Sequence, residues 1–273
     1  MSQTRLAAGL LAGKTAVITG GTMGIGRAIC LEFLRQGANV VVNHLGLAGD
    51  DAQVATLKDQ GAGLGKNAGR LVDQVGDVGD SATATRLMAR AVELSGEARR
   101  LDICVSNAGV CAFADFLSVT TELLQQTMRT NLDGAFYVTQ AAARQMALGQ
   151  QPPGGSIIGI SSVSALVGGG QQTHYTPTKA GVLSLMQSAA VAMGKYGVRC
   201  NALLPGTICT RLNADDLARR EKLEYMRGRI PLGRVGQPDD VAGPAVFLAC
   251  DGLSRYVTGA QLLVDGGLFV NLQ

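Results

Sequence analysis

Residues 15–26 read TAVITGGTMGIG, and the reading of this stretch decides the fold. A short apolar run passes straight into a glycine-rich turn, and an apolar periodic segment follows over residues 27–36. Strand, glycine turn and helix in immediate succession form the opening unit of a nucleotide-binding α/β sheet. Gly20, Gly24 and Gly26 let the backbone bend sharply and come close to a ligand. The new helix offers the unpaired N–H groups of its first turn to a pyrophosphate. The spacing here is G-x-x-x-G-x-G, a departure from the commoner G-x-G-x-x-G. A glycine loop is weak evidence by itself, and its place directly after the first strand strengthens it.

The same alternation continues along the chain. Residues 38–43 (ANVVVN) form a second all-apolar run, as in a strand buried on both faces of a parallel sheet. An acidic residue at its end would hold the adenosine ribose hydroxyls and repel a 2′-phosphate. This chain has Asn43 and His44 there, and neither excludes NADP. A helix is expected over 50–60, a flexible glycine-rich link over 61–69, a strand over about 70–75 ending in Gly76-Asp77-Val78, and a helix over 81–94 capped by Asp80 or Ser81. A fourth strand, 101–106, runs into Asn107-Ala108-Gly109, small residues at the carboxyl edge where open parallel sheets bind ligands. The pattern then predicts one long helix over 121–148, a strand over 155–161, a helix over 173–194, a strand over 197–204 broken by Pro205-Gly206, a helix over 239–250 and a strand over 261–264. The long helix carries Asn131, a buried amide among apolar neighbours that is either merely satisfied or functional. The polar, charged run 207–229 is expected to be a mobile flap. Strand alternating with helix predicts right-handed crossovers. The expected fold is a single-domain α/β, doubly wound (Rossmann-type) sheet of about seven parallel strands with helices on both faces, spanning 1–273.

The chemistry is concentrated in residues 161–179, SSVSALVGGGQQTHYTPTK. Tyr175 and Lys179 stand four apart, which places them on one face of a helix, and Ser162 lies upstream across a glycine-rich turn. With a reference pKa near ~10, a tyrosine useful as a base at pH 7 to 8 needs a downward shift of roughly 2 to 3 units, or about 3 to 4 kcal/mol. A positive charge ~4 Å away at an effective dielectric of ~20 is worth about 4 kcal/mol, the right size of effect. Y-x-x-x-K also arises by chance in helices, so the pair gains meaning only from its surroundings. His174 is one residue off that face and reads as a packing or interface side chain. Pro177 is tolerated in a first helical turn, which puts the helix start near Gln172 or Thr173.

Composition narrows the classes. Of 273 residues, 47% are hydrophobic, enough for one large core, and only 16% are charged with a net charge of +3. Neither disorder nor a polybasic nucleic-acid surface fits those values, and with tryptophan absent there is no stacking platform for single strands. Cys30, Cys104, Cys111, Cys200, Cys209 and Cys250 show no metal spacing, so no metal is expected and most read as small buried apolar residues. The apolar opening 6–12 is too short for a secretory signal and is read as part of an N-terminal tail, 1–13. No run reaches the roughly 18 to 20 apolar residues of a membrane span, and a cytoplasmic location is expected.

The loop at residues 19–26, the Asp77-Val78 pair, N-A-G at 107–109, Asn131, Ser162, Tyr175-x-x-x-Lys179 and Pro205-Gly206 together resemble the short-chain dehydrogenase/reductase family along nearly the whole chain. The resemblance implies a catalytic tetrad of Asn131, Ser162, Tyr175 and Lys179. It implies NAD or NADP as cofactor, with Gly20, Gly24, Ile25 and Gly26 at the phosphates, Asp77 and Val78 near the adenine, and Asn107 and Gly109 lining the pocket. Tyr175 and Lys179 face the nicotinamide ribose, and Thr207 and Ile208, after Pro205, approach the nicotinamide amide. At the adenosine end stand Met23, Asn43 and His44. NADP-preferring relatives often carry a basic residue at the place of Met23, and Ser106 replaces the first Asn of the usual N-N-A-G, so the cofactor choice stays open. The segments GGSIIGISSVSALVGGGQQTHYTPTKAG, IPLGRVGQP and QLLVDGGLFVNLQ resemble the branch of the family that oxidises L-rhamnose at C1. A small-molecule sugar substrate follows, with Ser162, Ser164, Gln172 and Tyr175 as substrate contacts, and a homotetramer as the assembly. An NADPH-dependent carbonyl or ketoacyl reductase of the same family, and a dinucleotide-sensing protein without chemistry, are the competing readings.

Overall fold

A computed structural model describes residues 9–272. In chain order the elements are β1 (Thr15–Ile18), α1 (Gly24–Arg35), β2 (Asn39–His44), α2 (Asp50–Ala62), β3 (Leu71–Val75), α3 (Ser81–Leu94), β4 (Ile103–Ser106), α4 (Thr121–Met128), α5 (Gly134–Leu148), β5 (Gly155–Ile160), α6 (Thr176–Met193), β6 (Val198–Pro205), α7 (Ala214–Ala218), α8 (Arg220–Arg229), α9 (Pro238–Ala249), α10 (Asp251–Ser254) and β7 (Gln261–Val264). All seven strands form one parallel sheet in the order β3-β2-β1-β4-β5-β6-β7. The order reverses between β1 and β4, and such a reversal opens a crevice at the carboxyl ends of the strands.

The central strands are apolar throughout because helices cover both faces. One core layer joins Ile18, Val40, Val42, Ile103 and Ile158 to Ile29 and Phe33 of α1 and Val241 and Val246 of α9. The other joins Val17, Val41, Cys104 and Ile157 to Leu87 of α3, Val138 and Met146 of α5, and Met186 of α6. Cys30, Cys104, Cys200 and Cys250 are buried. Among the described residues no helix is long and apolar enough to cross a membrane.

Three expectations differ from the structure. The helix expected over 121–148 is interrupted by a π turn at Arg129–Asp133, where one extra residue per turn rotates Asn131 inward. Helix α6 begins at Thr176, later than expected, because the N–H groups of Tyr175 and Thr176 both turn back to the Gln172 carbonyl and Pro177 then sits in the first turn. Separately, the expected flap 207–229 contains α7 and α8, with Leu217 packed on Ile230 and Val235 in a small cluster. Residues 9–13, read as tail, are tied down: the Leu11 N–H donates to Gln36 O at 3.0 Å and its side chain is buried. Residues 1–8 lie outside the described residues.

The start of β1 is fastened to β4 by one buried carboxylate. Asp102 accepts from the Thr15 N–H at 2.9 Å and from Arg100 Nε at 2.8 Å, with Lys14 Nζ at 3.5 Å. Asp102→Ala strands these donors, and urea denaturation is expected to show a loss of roughly 3 kcal/mol. A stability equal to that of the wild type would refute this role.

Candidate active site

The glycine loop is shaped by contact as well as by flexibility. Gly24 has φ +53°, and a methyl group on Gly26 would fall on the Gly20 carbonyl oxygen and 2.5 Å from Asn107 Nδ2. Met23, the N-cap of α1, makes no side-chain capping bond. The first-turn N–H groups therefore stay available to an anion. Asn107 lies across the crevice and holds the loop: its Nδ2 donates to Thr19 O at 2.9 Å and Gly20 O at 3.1 Å. The Thr19 hydroxyl accepts from the N–H groups of Asn107 and Ala108. Asn107 thus braces the cradle with its side chain, whereas the sequence pointed to a pocket lining. A cradle that excludes a Cβ, beside an uncapped helix end at the sheet's reversal point, fits the pyrophosphate of a dinucleotide.

The other sequence-derived cofactor residues divide in two. Gly109 sits between the tetrad residues, since a Cβ there would lie 3.3 Å from Asn131 Oδ1 and 3.5 Å from Lys179 Nζ. Asp77 and Val78 follow β3; the Asp77 carboxylate accepts from Gly79 N at 2.8 Å and pairs with Arg129 at 2.8 Å. The polar atoms of Asn43 and His44 are turned inward. Asn43 Nδ2 donates to Gly76 O at 2.8 Å, and the buried His44 ring has Asp50 and Asp73 carboxylates 3.5 Å from its two nitrogens. Pro205 ends β6, Thr207 O accepts from Gly236 N, and the Ile208 side chain is buried in the core. The Ile208 carbonyl accepts from Asn213 Nδ2 at 2.9 Å, so its backbone anchors the segment after β6 while its side chain packs inward.

Ser162, Tyr175 and Lys179 converge at the end of β5 and the start of α6, and Asn131 reaches them from the π turn. Lys179 N donates to Tyr175 O at 3.3 Å, the first helical bond of α6, which stacks the two side chains on one face. Lys179 Nζ lies 5.5 Å from the Tyr175 ring centroid and donates to Ile160 O at 3.0 Å. Ser162, at the end of β5, stands near enough to the Tyr175 phenol to favour its ionised form and accepts from Ser164 N at 3.1 Å. Asn131 accepts from Val110 N at 2.8 Å and donates to Val110 O at 2.9 Å and Thr178 Oγ1 at 3.2 Å. Thr178 in turn donates to Tyr175 O at 2.7 Å. Asn131 is therefore a brace from the π turn to the first turn of α6.

Burial dominates the titration of the pair. It pushes the Tyr175 phenol well above its ordinary value, with the neighbouring Cys111 adding to the rise and Ser162 opposing it. It also pushes the Lys179 ammonium down to about 8. The sequence argument had Lys179 bringing the phenol down; desolvation outweighs that inside the protein. A positive ring bound alongside acts in the required direction.

Two contributors escaped the sequence. Cys111 sits close enough to couple electrostatically to Tyr175 and Lys179, and its Sγ accepts from Gln172 Nε2 at 3.3 Å. Its position two residues past Gly109 was the only available signal. Thr178 was signalled by its place three residues after Tyr175. Segments 111–115 and 168–172 face each other through the Ala114 N–H to Gln171 O bond and form the wall beside the phenol. His174 is buried next to Tyr175, and neither ring nitrogen has a hydrogen-bond partner among the described residues.

Asn131→Ala removes both partners of the Val110 peptide and is expected to cost about 2 kcal/mol in thermal unfolding, with turnover falling as well. An unchanged melting midpoint would contradict the bracing role. A lysine whose folded pKa lies below its unfolded value binds fewer protons folded, so its contribution to stability rises with pH between about 8 and its ordinary range. Cofactor-free wild type should gain stability over pH 8 to 10 relative to Lys179→Met. Parallel profiles for the two proteins would refute that assignment.

Residues 20–269 match the family model described as enoyl-(acyl carrier protein) reductase. The chain is 60% identical to an L-rhamnose-1-dehydrogenase of Scheffersomyces stipitis, over 97% of this chain and 99% of that one. It is 54% identical to an L-rhamnose 1-dehydrogenase (NAD(P)+) of Azotobacter vinelandii, over 97% of this chain and 100% of that one. A gluconate 5-dehydrogenase from Burkholderia cenocepacia, solved in complex with NADP and tartrate, superposes with a TM-score of 0.84 at 32% identity, covering 95% of this chain and 96% of that one. With its sheet order, its glycine cradle and its Ser162, Tyr175 and Lys179 cluster, the chain belongs to the short-chain dehydrogenase/reductase family.

Proposed function

We propose that the chain oxidises L-rhamnose at C1 to the rhamnonolactone, using NAD+ or NADP+. The carrying observation is 60% identity, over almost the full length of both chains, to a relative named for that reaction. The half-buried Tyr175, with Ser162 close to its phenol and Lys179 beside its ring, gives the reaction a place to occur.

An oxidised nicotinamide supplies the hydride acceptor for C1. Tyr175 as phenolate, its negative charge offset by Lys179, takes the proton of the C1 hydroxyl and becomes the phenol, while Ser162 hydrogen-bonds the same oxygen and fixes its position. Lys179 keeps a positive charge beside the phenol and binds the nicotinamide ribose. Asn131 Oδ1 and Lys179 Nζ border the space next to Gly109, where a water relays the proton outward. Ser164 and Gln172 stand on the substrate side. Gln172 is held by Cys111, so the wall formed by 111–115 and 168–172 is the place where sugar selectivity is set.

The segment 207–229 closes over this site, and the chain works as one catalytic domain. Self-association as a homotetramer through α4, α5 and α6 would cover Leu124, Phe136 and Val191, apolar side chains that a single chain leaves exposed. The composition and the absence of a membrane-spanning helix among the described residues support a cytoplasmic enzyme.

Initial rates with L-rhamnose and each cofactor test the reading against NADPH consumption with a panel of ketones. Rhamnose oxidation is expected to dominate, and faster ketone reduction would favour the reductase alternative. Tyr175→Phe should lower turnover by about 10²- to 10⁴-fold while leaving NADH binding nearly intact. Comparable oxidation by that variant would remove Tyr175 as the base.

A further inference from the structure

The phosphate cradle lacks a cation of its own. Residues 19–26 contain no lysine or arginine, and Met23 occupies the outer position of the loop. The next basic side chain, Arg27, is committed elsewhere: it donates to Thr22 O, Gln53 O and Gln60 Oε1, each at 3.0 Å, and locks α1 to α2. At the end of β2 the His44 ring stands between two carboxylates, and Lys58 is paired with Asp73 at 2.6 Å. Lys179 is held by the Ile160 carbonyl at the nicotinamide end. None of these groups is free to meet a phosphate over the loop.

One cation is placed there from another part of the chain. Arg211 Nη1 lies 3.9 Å from Met23 Sδ, and Thr210 Cγ2 lies 3.4 Å from where a Cβ on Gly24 would be. The approach is anchored on the far side. Thr210 N donates to Asn213 Oδ1 at 2.9 Å, Asn213 Nδ2 donates to Ile208 O at 2.9 Å, and Ile208 bridges to Gly236. Among the described residues no carboxylate forms an ion pair with Arg211. A thioether is a weak acceptor and does not satisfy a guanidinium, whose planar fork suits phosphate oxygens.

We propose that Arg211 clamps a phosphate of the bound dinucleotide, so that the segment after β6 supplies the positive charge the glycine loop lacks. The proposal rests on the dinucleotide-binding reading. The shared chemistry is a phosphate dianion or diester, and its source is either the pyrophosphate common to both cofactors or the 2′-phosphate of NADP. A clamp carried on the flap also couples cofactor binding to the placement of 207–229 over the site.

The test is the equilibrium dissociation constant for NADH and for NADPH, read from the change in nicotinamide fluorescence on titration into wild type, Arg211→Gln and Arg211→Lys. Loss of the charge-assisted hydrogen bonds in Arg211→Gln is expected to weaken binding roughly tenfold, with partial recovery in Arg211→Lys and a flatter dependence of affinity on salt. Equal weakening for both dinucleotides supports a clamp on the pyrophosphate, and weakening confined to NADPH supports one on the 2′-phosphate. Wild-type affinity for both in Arg211→Gln would overturn the clamp. A wild-type protein that binds neither dinucleotide would overturn the dinucleotide reading itself.

Discussion

The site depends on how the ends of β1 and β4 are joined where the strand order reverses. Besides the Thr19 N–H to Val105 carbonyl bond of the ladder, four hydrogen bonds make the join: two from Asn107 Nδ2 to the Thr19 and Gly20 carbonyls, and two into the Thr19 hydroxyl from the backbone beyond β4. Parallel strands splay at such a point, and the crevice would otherwise be held open only by packing below it. Because these groups are partly shielded from water, releasing one leaves its partner incompletely solvated and costs more than the bond contributes in solution. The join fixes the glycine loop to Gly109, and Gly109 borders both Asn131 and Lys179. The phosphate cradle and the tyrosine therefore share one frame of reference, although they lie far apart in sequence.

A second chain of bonds sets the other side of that frame. The π turn carries Asn131 to the Val110 peptide, Asn131 reaches Thr178, and Thr178 reaches the Tyr175 carbonyl. Ser161 Oγ donates to Lys179 O at 2.7 Å, tying the end of β5 to the same turn of α6. An ordinary α-helical turn at Arg129–Asp133 would rotate Asn131 away from Val110, so the irregularity in the helix is what completes the brace.

The sheet was legible in the sequence because parallel strands buried on both faces are short apolar runs with no rival interpretation. The runs at 38–43 and 155–161 differ by at most a residue at each end from β2 and β5. The approach of Ser162, Tyr175 and Lys179 and the shape of the glycine loop were legible because particular residue types stand at fixed spacing at strand ends and a helix start. What escaped was set by contacts between distant segments. The start of α6 depends on the Gln172 carbonyl capturing two N–H groups, and hydrophobic periodicity carries no trace of that. The inward turn of Asn131 and the commitment of the Asn107 amide to Thr19 and Gly20 likewise depend on partners many residues away. The helices within 207–229 are held by Leu217, Ile230 and Val235, too few apolar residues to stand out in a charged run.

The electrostatics of Tyr175 correct the sequence argument most instructively. A single ammonium at a short distance was the right magnitude to bring the phenol down, yet the residue sits where burial drives it up and drives Lys179 down to about 8. Both shifts have one cause, since a medium that penalises a lone phenolate also penalises a lone ammonium. The same medium strengthens every attraction between opposite charges placed within it, because each falls off with a smaller effective dielectric than in water. The pair is thus poised so that each charge is less favourable than in water and the phenolate depends on a positive neighbour. A further cation next to the phenol then acts with the full weight of a desolvated interaction. An exposed tyrosine with the same lysine would start from a more favourable pKa and gain far less from that neighbour, so burial is what makes the proton affinity of Tyr175 responsive to what is bound beside it.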